Sequence, residues 1–190
     1  EAPATVLQVL PRFRVANHLA CALEVRLPPC QPGGRPACLA VEAQGGTDVN
    51  FPAGHHGPLA IALRVGGEAH AWSGHVDIGA EQRCSLALDS GCGTAPAAVW
   101  AEVARQPTGQ LILHVLAVTA AEVHVENHTR GPLRLRQSCV AGRCLEIPPL
   151  SALPFAWLDP LAAARSAAAG EPRTLELQSP AWEPSCWLPV

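Results

Sequence analysis

The sequence predicts an all-β protein with two tandem antiparallel β-sandwich-like repeats, and three observations predict it. Apolar residues alternate with polar ones along several short segments, which is the period of a strand with one buried face. Glycine and proline clusters separate these segments, as in "PPCQPGGRP" and "FPAGHHGP". A segment near the start of the chain also recurs in its second half. Short strands with this punctuation are typical of a β sandwich or barrel.

Alternation defines the strands in chain order. The stretches "ALEVRL", "LAIALRV", "LRLR" and "TLELQ" place apolar side chains at every second position, so one face of each strand is predicted to be buried. The residues expected on these faces are Leu23, Val25 and Leu27; Leu59, Ile61, Leu63 and Val65; Leu133 and Leu135; and Leu175 and Leu177. The stretch "LILHVLAV", residues 111–118, is apolar on both faces and predicts a central strand covered on both sides.

The stretch "LDPLAAARSAAAG" predicts a short helix over residues 160–169. Asp159 suits the N-cap, because its side chain can accept a hydrogen bond from a free amide of the first turn, and Pro160 suits the first helical position. Gly170 is a candidate C-cap. A flexible alanine-rich loop is the alternative, because the whole chain is rich in alanine and these alanines carry little structural information.

Two stretches resemble each other and indicate an internal repeat. "FRVANHLACALEVR" and "VHVENHTRGPLRLR" share an Asn-His pair, at Asn17 and at Asn127, between two alternating segments. We therefore predict one unit in residues 1–118 and a second, possibly truncated unit in residues 119–190. Matching Trp72 with Trp157 leaves extra residues in the first unit. We assign them to a surface loop insertion at about residues 29–57, where added length costs little entropy.

The repeated asparagines have two possible roles. A carboxamide at the end of a strand can form a turn by bonding to its own backbone. A buried asparagine can instead pin a loop to a sheet through several hydrogen bonds.

Composition and charge limit the classes of function. Hydrophobic residues make up 48% of the chain, so disorder is not expected. The formal net charge of −3 argues against a nucleic-acid-binding protein. No apolar run has the length of a transmembrane helix, and no signal peptide is visible.

The eight cysteines leave the cellular compartment open. An even number permits disulfides, and Asn127-His128-Thr129 is a formal glycosylation sequon, which together suit a secreted or cell-surface disulfide-bonded β sandwich. Against this, the chain is long enough to fold without disulfides, and the cysteine spacings match no known framework. A cytosolic protein with reduced thiols is the other interpretation.

No catalytic or metal-binding pattern stands out, so we expect no enzymatic activity, no metal and no cofactor. Cys139 and Cys144 lack a second cysteine pair at zinc-ligand spacing, and a Cys-x-x-Cys motif is absent. "DSGCG" around Ser90 is not a Gly-x-Ser-x-Gly turn and has no evident His and Asp partners.

Four stretches resemble one region of the vacuolar protein sorting-associated protein 13 family of bridge-like lipid transfer proteins. They are "RVANHLACALEVRL", "AHAWSGHVDIG", "VENHTRGPLRLRQ" and "PPLSALPFAWLDPL". The region is the adaptor-binding domain, a string of β-rich repeats that are each marked by a characteristic asparagine. The most specific match is the series Asn-x-Thr, Pro-Leu-x-x-Arg-Gln, Pro-Phe-Ala-Trp and Asp-Pro between residues 127 and 160.

This resemblance implies a function in recruitment. The chain would bind proline-containing adaptor peptides on organelle membranes, without nucleic acid or a small-molecule substrate, and would reach membranes only indirectly, through its adaptors. The parent protein would be cytoplasmic and peripheral at organelle membranes and contact sites, with reduced cysteines. The repeat-defining or peptide-binding candidates are Asn17, Asn127, Trp72, Trp157, Arg136 and Gln137.

An extended peptide could add to a sheet edge, beside an apolar and partly aromatic groove. The aromatic candidates for this groove are Trp72, Trp100, Trp157, Trp182, Trp187, Phe13, Phe51 and Phe155. Most are expected to lie in the core, and Trp182 and Trp187 are the ones expected to be exposed.

Overall fold

The computed structural model of the protein describes residues 11–29, 34–51, 57–65, 70–88, 97–118, 123–138, 140, 144–168, 175–179 and 188–189. Its elements, in chain order, are β1 (Phe13–Asn17), β2 (Leu23–Arg26), β3 (Cys38–Val41), β4 (Gly46–Val49), β5 (Ala60–Val65), β6 (His75–Asp77), β7 (Gln82–Leu88), β8 (Ala97–Arg105), β9 (Leu111–Ala117), β10 (Val123–Asn127), β11 (Leu133–Gln137), β12 (Leu145–Ile147), β13 (Ser151–Phe155), α1 (Pro160–Ala168), β14 (Leu175–Gln178) and β15 (Leu188–Pro189).

Strands dominate the described residues, and the predicted all-β fold class is confirmed. The short helix predicted over residues 160–169 is confirmed as α1. Asp159 caps it as expected, because its Oδ1 accepts a hydrogen bond from the backbone N–H of Ala162 at 2.8 Å. Gly170, the candidate C-cap, lies outside the described residues. Within these ranges, no helix has the length and hydropathy needed to span a membrane.

The first half of the chain forms two sheets around a common hydrophobic core. Their strand orders are β4-β1-β9-β8-β7 and β3-β2-β5-β6. The alternation of β2 has the predicted effect, since Leu23, Val25 and Leu27 are all buried. In β5, Ile61 and Leu63 are buried, but its intervening alanines are buried as well, so this strand is covered on both faces.

Strand β9 occupies the centre of its sheet, between β1 and β8, as its apolar sequence predicts. Its inward side chains are buried, whereas Ile112, His114 and Leu116 on the other face are half-buried. One pairing departs from the antiparallel prediction, because β1 and β9 run parallel. A parallel pair requires a long crossover, and here the crossover consists of all the strands from β2 to β8.

The second half of the chain has its own, smaller core. A two-stranded sheet, β10-β13, accompanies a four-stranded sheet of order β12-β11-β14-β15. The buried members of this core cluster are Leu133, Leu135, Ile147 and Phe155. The predicted face of β11 is thus confirmed, while Leu175 and Leu177 of β14 are only half-buried.

The strand pairing of β1–β6 recurs in β10–β15. β1 pairs with β4 as β10 pairs with β13, and β2 pairs with β3 and β5 as β11 pairs with β12 and β14. β5 pairs with β6 as β14 pairs with β15. The register is also kept, since Phe13 lies opposite Val49 as Val123 lies opposite Phe155. The chain therefore contains an internal structural repeat, to which β7, β8 and β9 are an addition in the first half.

Two details of the predicted repeat are wrong. The segment 29–57 is not an inserted loop throughout, because it contains β3 and β4, which correspond to β12 and β13. Trp157 does not correspond to Trp72. Trp157 follows β13 by two residues, as Phe51 follows β4, whereas Trp72 lies between β5 and β6. The predicted boundary at residues 118 and 119 falls at the edge of the undescribed segment 119–122.

Backbone contacts join the two halves at the corner between β13 and α1. Trp157 adds to the edge of β7 as a one-residue parallel bridge, since its N–H donates to Ser85 O and its carbonyl accepts from Ala87 N–H, both at 2.9 Å. The N–H of Gly74 donates to Leu158 O at 2.9 Å. A side chain at Gly74 would collide with Leu158 and Asp159, so only glycine permits this approach.

Candidate functional site

Asn17 pins the corner that follows β1. Its side chain is 1% exposed. Its Nδ2 lies within hydrogen-bonding distance of three carbonyl oxygens, those of Cys21 (2.9 Å), Val41 (3.3 Å) and Glu42 (2.9 Å). Its Oδ1 accepts from the N–H of Leu19 at 3.0 Å. One carboxamide thereby ties the β1–β2 turn to the end of β3.

Asn127 makes the corresponding contacts after β10 and is also 1% exposed. Its Nδ2 faces the carbonyl oxygens of Gly131 (2.9 Å), Ile147 (3.1 Å) and Pro148 (2.9 Å). Its Oδ1 accepts from both the N–H and the Oγ1 of Thr129, at 2.9 and 2.7 Å. Both roles considered for the asparagines are therefore present, a local turn through Oδ1 and a pin between strands through Nδ2.

The geometry of Asn127 bears on the sequon. A glycan is attached through Nδ2, and in this fold that atom is buried and donates to backbone carbonyls. A glycosylated Asn127 is therefore incompatible with the corner that the side chain holds. Thr129 has a structural role here, because its hydroxyl lies within donating distance of two acceptors at this corner, Asn127 Oδ1 and Gly131 O.

Gln137 is a third buried anchor, at the end of β11, and is 1% exposed. Its Oε1 accepts from the backbone N–H groups of Leu158 and Asp159, both at 3.1 Å. Its Nε2 donates to Asp159 O at 2.7 Å. These bonds hold the corner that carries Trp157 and begins α1.

Asp159 also faces His75 of β6, with 3.3 Å between Oδ2 and Nδ1. Burial acts to raise the pKa of this carboxyl group, but hydrogen bonds from His75 and from the N–H of Ala162 outweigh it, so the pKa is lowered from its usual value. Asp159 thus contributes a charged contact between the halves in addition to its capping bond.

Trp72 precedes Gly74 by two residues and Trp157 directly precedes Leu158, so the two tryptophans flank the Gly74–Leu158 hydrogen bond in sequence. Trp72 is half-buried and contacts two guanidinium groups, with Arg26 Cζ 4.8 Å and Arg64 Cζ 4.5 Å from its ring centroid. Trp157 packs on the smaller core and meets the ring of Phe155 edge-on at 5.3 Å.

The remaining predicted candidates are distributed around these anchors. Arg136 pairs across β11 and β14 with Glu176, with 2.5 Å between Nε and Oε2. Of the aromatic groove candidates, Phe13 and Phe155 are core residues, while Phe51 and Trp100 are half-buried. Trp182 and Trp187 lie outside the described residues.

A histidine pair that the sequence alone does not reveal lies on the outer face of the larger sheet. His18 Nε2 is 3.0 Å from His114 Nδ1, and their rings stack with centroids 5.3 Å apart. Burial and the neighbouring His18 lower the pKa of His114, while Glu102 opposes this shift. Only the parallel pairing of β1 with β9 could have indicated this contact.

The two-stranded sheet β10-β13 has two edges of different character. Pro154 of β13 lies opposite His124 of β10. Proline has no N–H, so this pair cannot be a hydrogen-bonded one, and the backbone groups of both residues point away from the partner strand. The β13 edge is consequently interrupted by a proline, whereas the β10 edge carries the N–H and C=O groups of His124 and, two residues on, of Glu126.

Four of the described residues carry thiols. Among the described cysteines, Cys21, Cys38 and Cys144 are exposed and form no disulfide with one another, and the buried Cys84 has its Sγ 3.9 Å from Ala101 O. Within the described ranges, no group of three or more His, Cys, Asp or Glu side chains could hold a metal ion.

These features describe a β-repeat scaffold whose two corners are pinned in the same way and in which, among the described strands, β10 pairs only with β13. Neither a protein-family model nor a curated protein matches the chain.

Proposed function

We propose that the chain is a non-catalytic peptide-binding β-repeat module, the adaptor-binding part of a bridge-like lipid transfer protein of the vacuolar protein sorting-associated protein 13 type. The observation that supports this most directly is the repeated asparagine pin. Asn17 and Asn127 make matching contacts at matching corners, as expected for the asparagine that marks each repeat of that region. The ligands are proline-containing peptides of adaptors on organelle membranes.

The position of the module in the cell follows from the same proposal. The parent protein is cytoplasmic and associates with organelle membranes and contact sites indirectly, through its adaptors. Three exposed thiols and a buried sequon asparagine support this environment over a secreted, disulfide-bonded domain. Mass spectrometry before and after alkylation separates the two, because eight reactive thiols are expected here and four native disulfides would contradict the proposal.

The central test is peptide binding by calorimetry, with synthetic proline-containing peptides from organelle adaptors. Asn127→Ala is expected to weaken binding more than it lowers the melting temperature, because the pinned corner lies at the end of β10. Asn50→Ala is the matched control, since Asn50 is exposed. Equal binding by Asn127→Ala and the parent chain, or no binding by the parent chain, would refute the proposal.

A further inference from the structure

We propose that the edge of β10 binds an extended polypeptide segment that runs parallel to β10, with apolar side chains at alternate positions and a basic side chain opposite Glu126. This inference rests on the proposed peptide-binding function. It deepens that function by naming the edge, the strand direction and the chemistry of the ligand.

The first half of the chain supplies the template. β1 pairs on one side with β4, antiparallel, and on the other side with β9, parallel. β10 is the structural counterpart of β1, and among the strands that the structure describes it pairs only with β13. Among the described residues, no strand occupies the position beside β10 that β9 occupies beside β1.

The backbone of β10 is oriented to accept such a strand. In the first half, Leu111 N–H of β9 donates to Arg12 O, and His18 N–H donates to Val115 O of β9, both at 2.9 Å. Successive residues of a strand point their backbone N–H and C=O groups to opposite edges, so these groups of the even-numbered residues of β1 point toward β9. Their counterparts in β10 are His124 and Glu126. The pairing with β13 gives the same result, because Pro154 lies opposite His124 and has no N–H to donate, so the backbone groups of His124 and Glu126 point away from β13.

The apolar side chains of β10 are less buried than those of β1, which also fits the lack, among the described residues, of a second strand beside β10. Phe13 and Val15 of β1 are 5% and 0% exposed and belong to the core cluster that also contains Leu111, Leu113 and Val115 of β9. Their counterparts Val123 and Val125 are only half-buried. A strand with apolar residues at every second position would cover these two valines as β9 covers β1.

The charge of Glu126 indicates which type of residue the ligand strand carries on its outward face. His114 of β9 lies opposite Ala16, and the counterpart of Ala16 in β10 is Glu126, whose side chain is exposed. His128 already approaches Glu126, with 2.8 Å between Nε2 and Oε2. A lysine or arginine of the ligand at the His114 position would therefore meet an acidic partner.

The test uses the full chain and a labelled peptide with the sequence of residues 110–118, "QLILHVLAV", carrying His114→Lys to face Glu126. Fluorescence anisotropy is expected to show saturable binding. Glu126→Pro removes one edge-facing N–H without touching the bonds to β13, and we expect about tenfold weaker binding. Ala152→Pro is the matched control, because Ala152 lies directly opposite Glu126 and its backbone faces the other edge. We expect it to bind as the parent chain does.

Two further measurements on the parent chain test the direction of the bound peptide and its position on β10, so they do not depend on whether a variant folds. Hydrogen exchange at the amides of His124 and Glu126 is expected to slow when the peptide is added, and a peptide of reversed sequence is expected to bind at least about tenfold more weakly. No binding, equal effects of Glu126→Pro and Ala152→Pro, unchanged exchange, or equal binding of the reversed peptide would each overturn the inference. If adaptor peptides bind but depend on neither edge substitution, the edge is wrong and the proposed function stands. If only the strand peptide binds, the adaptor proposal fails.

Discussion

The carboxamide of Asn127 repeats the backbone contacts of Asn17. Each Nδ2 faces the carbonyl four residues ahead and two consecutive carbonyls at the end of a neighbouring strand, and each Oδ1 accepts from the N–H two residues ahead. The two sites differ at one position, where Thr129 adds a hydroxyl bond and Leu19 instead joins the core.

Replacement of either asparagine should destabilise its own half. Asn17→Ala and Asn127→Ala remove the side-chain donor to three backbone carbonyls and the acceptor for one backbone N–H, so we expect a loss of about 2–3 kcal/mol of unfolding free energy for each. Urea unfolding measures this loss. Asn50→Ala, at an exposed position, should change stability little, and a loss below about 0.5 kcal/mol for both pins would contradict their role.

Gln137→Leu should loosen the corner before α1. The substitution keeps the volume of the side chain but removes the acceptor for two backbone amides and the donor to Asp159 O. We expect a cost of about 1–3 kcal/mol, with faster hydrogen exchange at Leu158 and Asp159. Arg134→Leu, on the exposed face of the same strand, provides the control. Unchanged exchange at the corner would show that Gln137 does not hold it.

Gly74→Ala should separate the two halves at their backbone contact. The added methyl group would collide with the carbonyl of Leu158 and the backbone of Asp159, which are not flexible side-chain ends. We expect a cost of about 1–3 kcal/mol, seen as a lower melting temperature. Gly131→Ala is the matched control, since a Cβ there meets nothing within 4 Å. Equal melting temperatures for the two variants would rule out the close approach.

The histidine pair should make stability depend on pH. Since the pKa of His114 is lowered in the folded chain, the unfolded chain binds more protons between that pKa and 6.5. The contribution of His114 is therefore complete above about pH 6.5 and is lost as the pH falls through this window. Unfolding free energies measured from pH 7.5 to 5 should decrease toward acid.

The titratable groups that face His114 are His18 and Glu102. Two variants test how the histidines contribute to the pH dependence. His114→Gln should flatten the profile, because it removes the titrating group. His18→Gln should reduce the slope, because it removes a cause of the lowered pKa. A profile of unchanged slope in His114→Gln would assign the pH dependence to other groups.

Features of the fold that depend on local sequence could be predicted. The buried faces of β2 and β11 follow from strict alternation, and the start of α1 follows from Asp159 and Pro160. The internal repeat follows from the Asn-His pairs, because matching sequence at one corner gave matching backbone contacts.

Features that depend on distant pairing could not be predicted. β4 reads "GTDV" and buries only Val49, so its sequence carries almost no strand signal, and the segment around it looked like a loop. The match of Trp72 with Trp157 failed because a tryptophan in a connection does not fix register, whereas Phe51 occupies the corresponding position. Gln137 appears in the sequence only as the end of a motif. Its anchoring role becomes visible only when the corner of residues 157–159 folds back onto it.

The parallel pair of β1 and β9 has a consequence for biosynthesis. Residues 13–17 cannot complete their hydrogen-bonded ladder until residues 111–117 have left the ribosome, whereas β10 and β13 lie close together in the chain. High contact order slows folding, so the first half should mature after its last strand is translated. During translation, chaperones would then encounter β1 before β9 is available to pair with it.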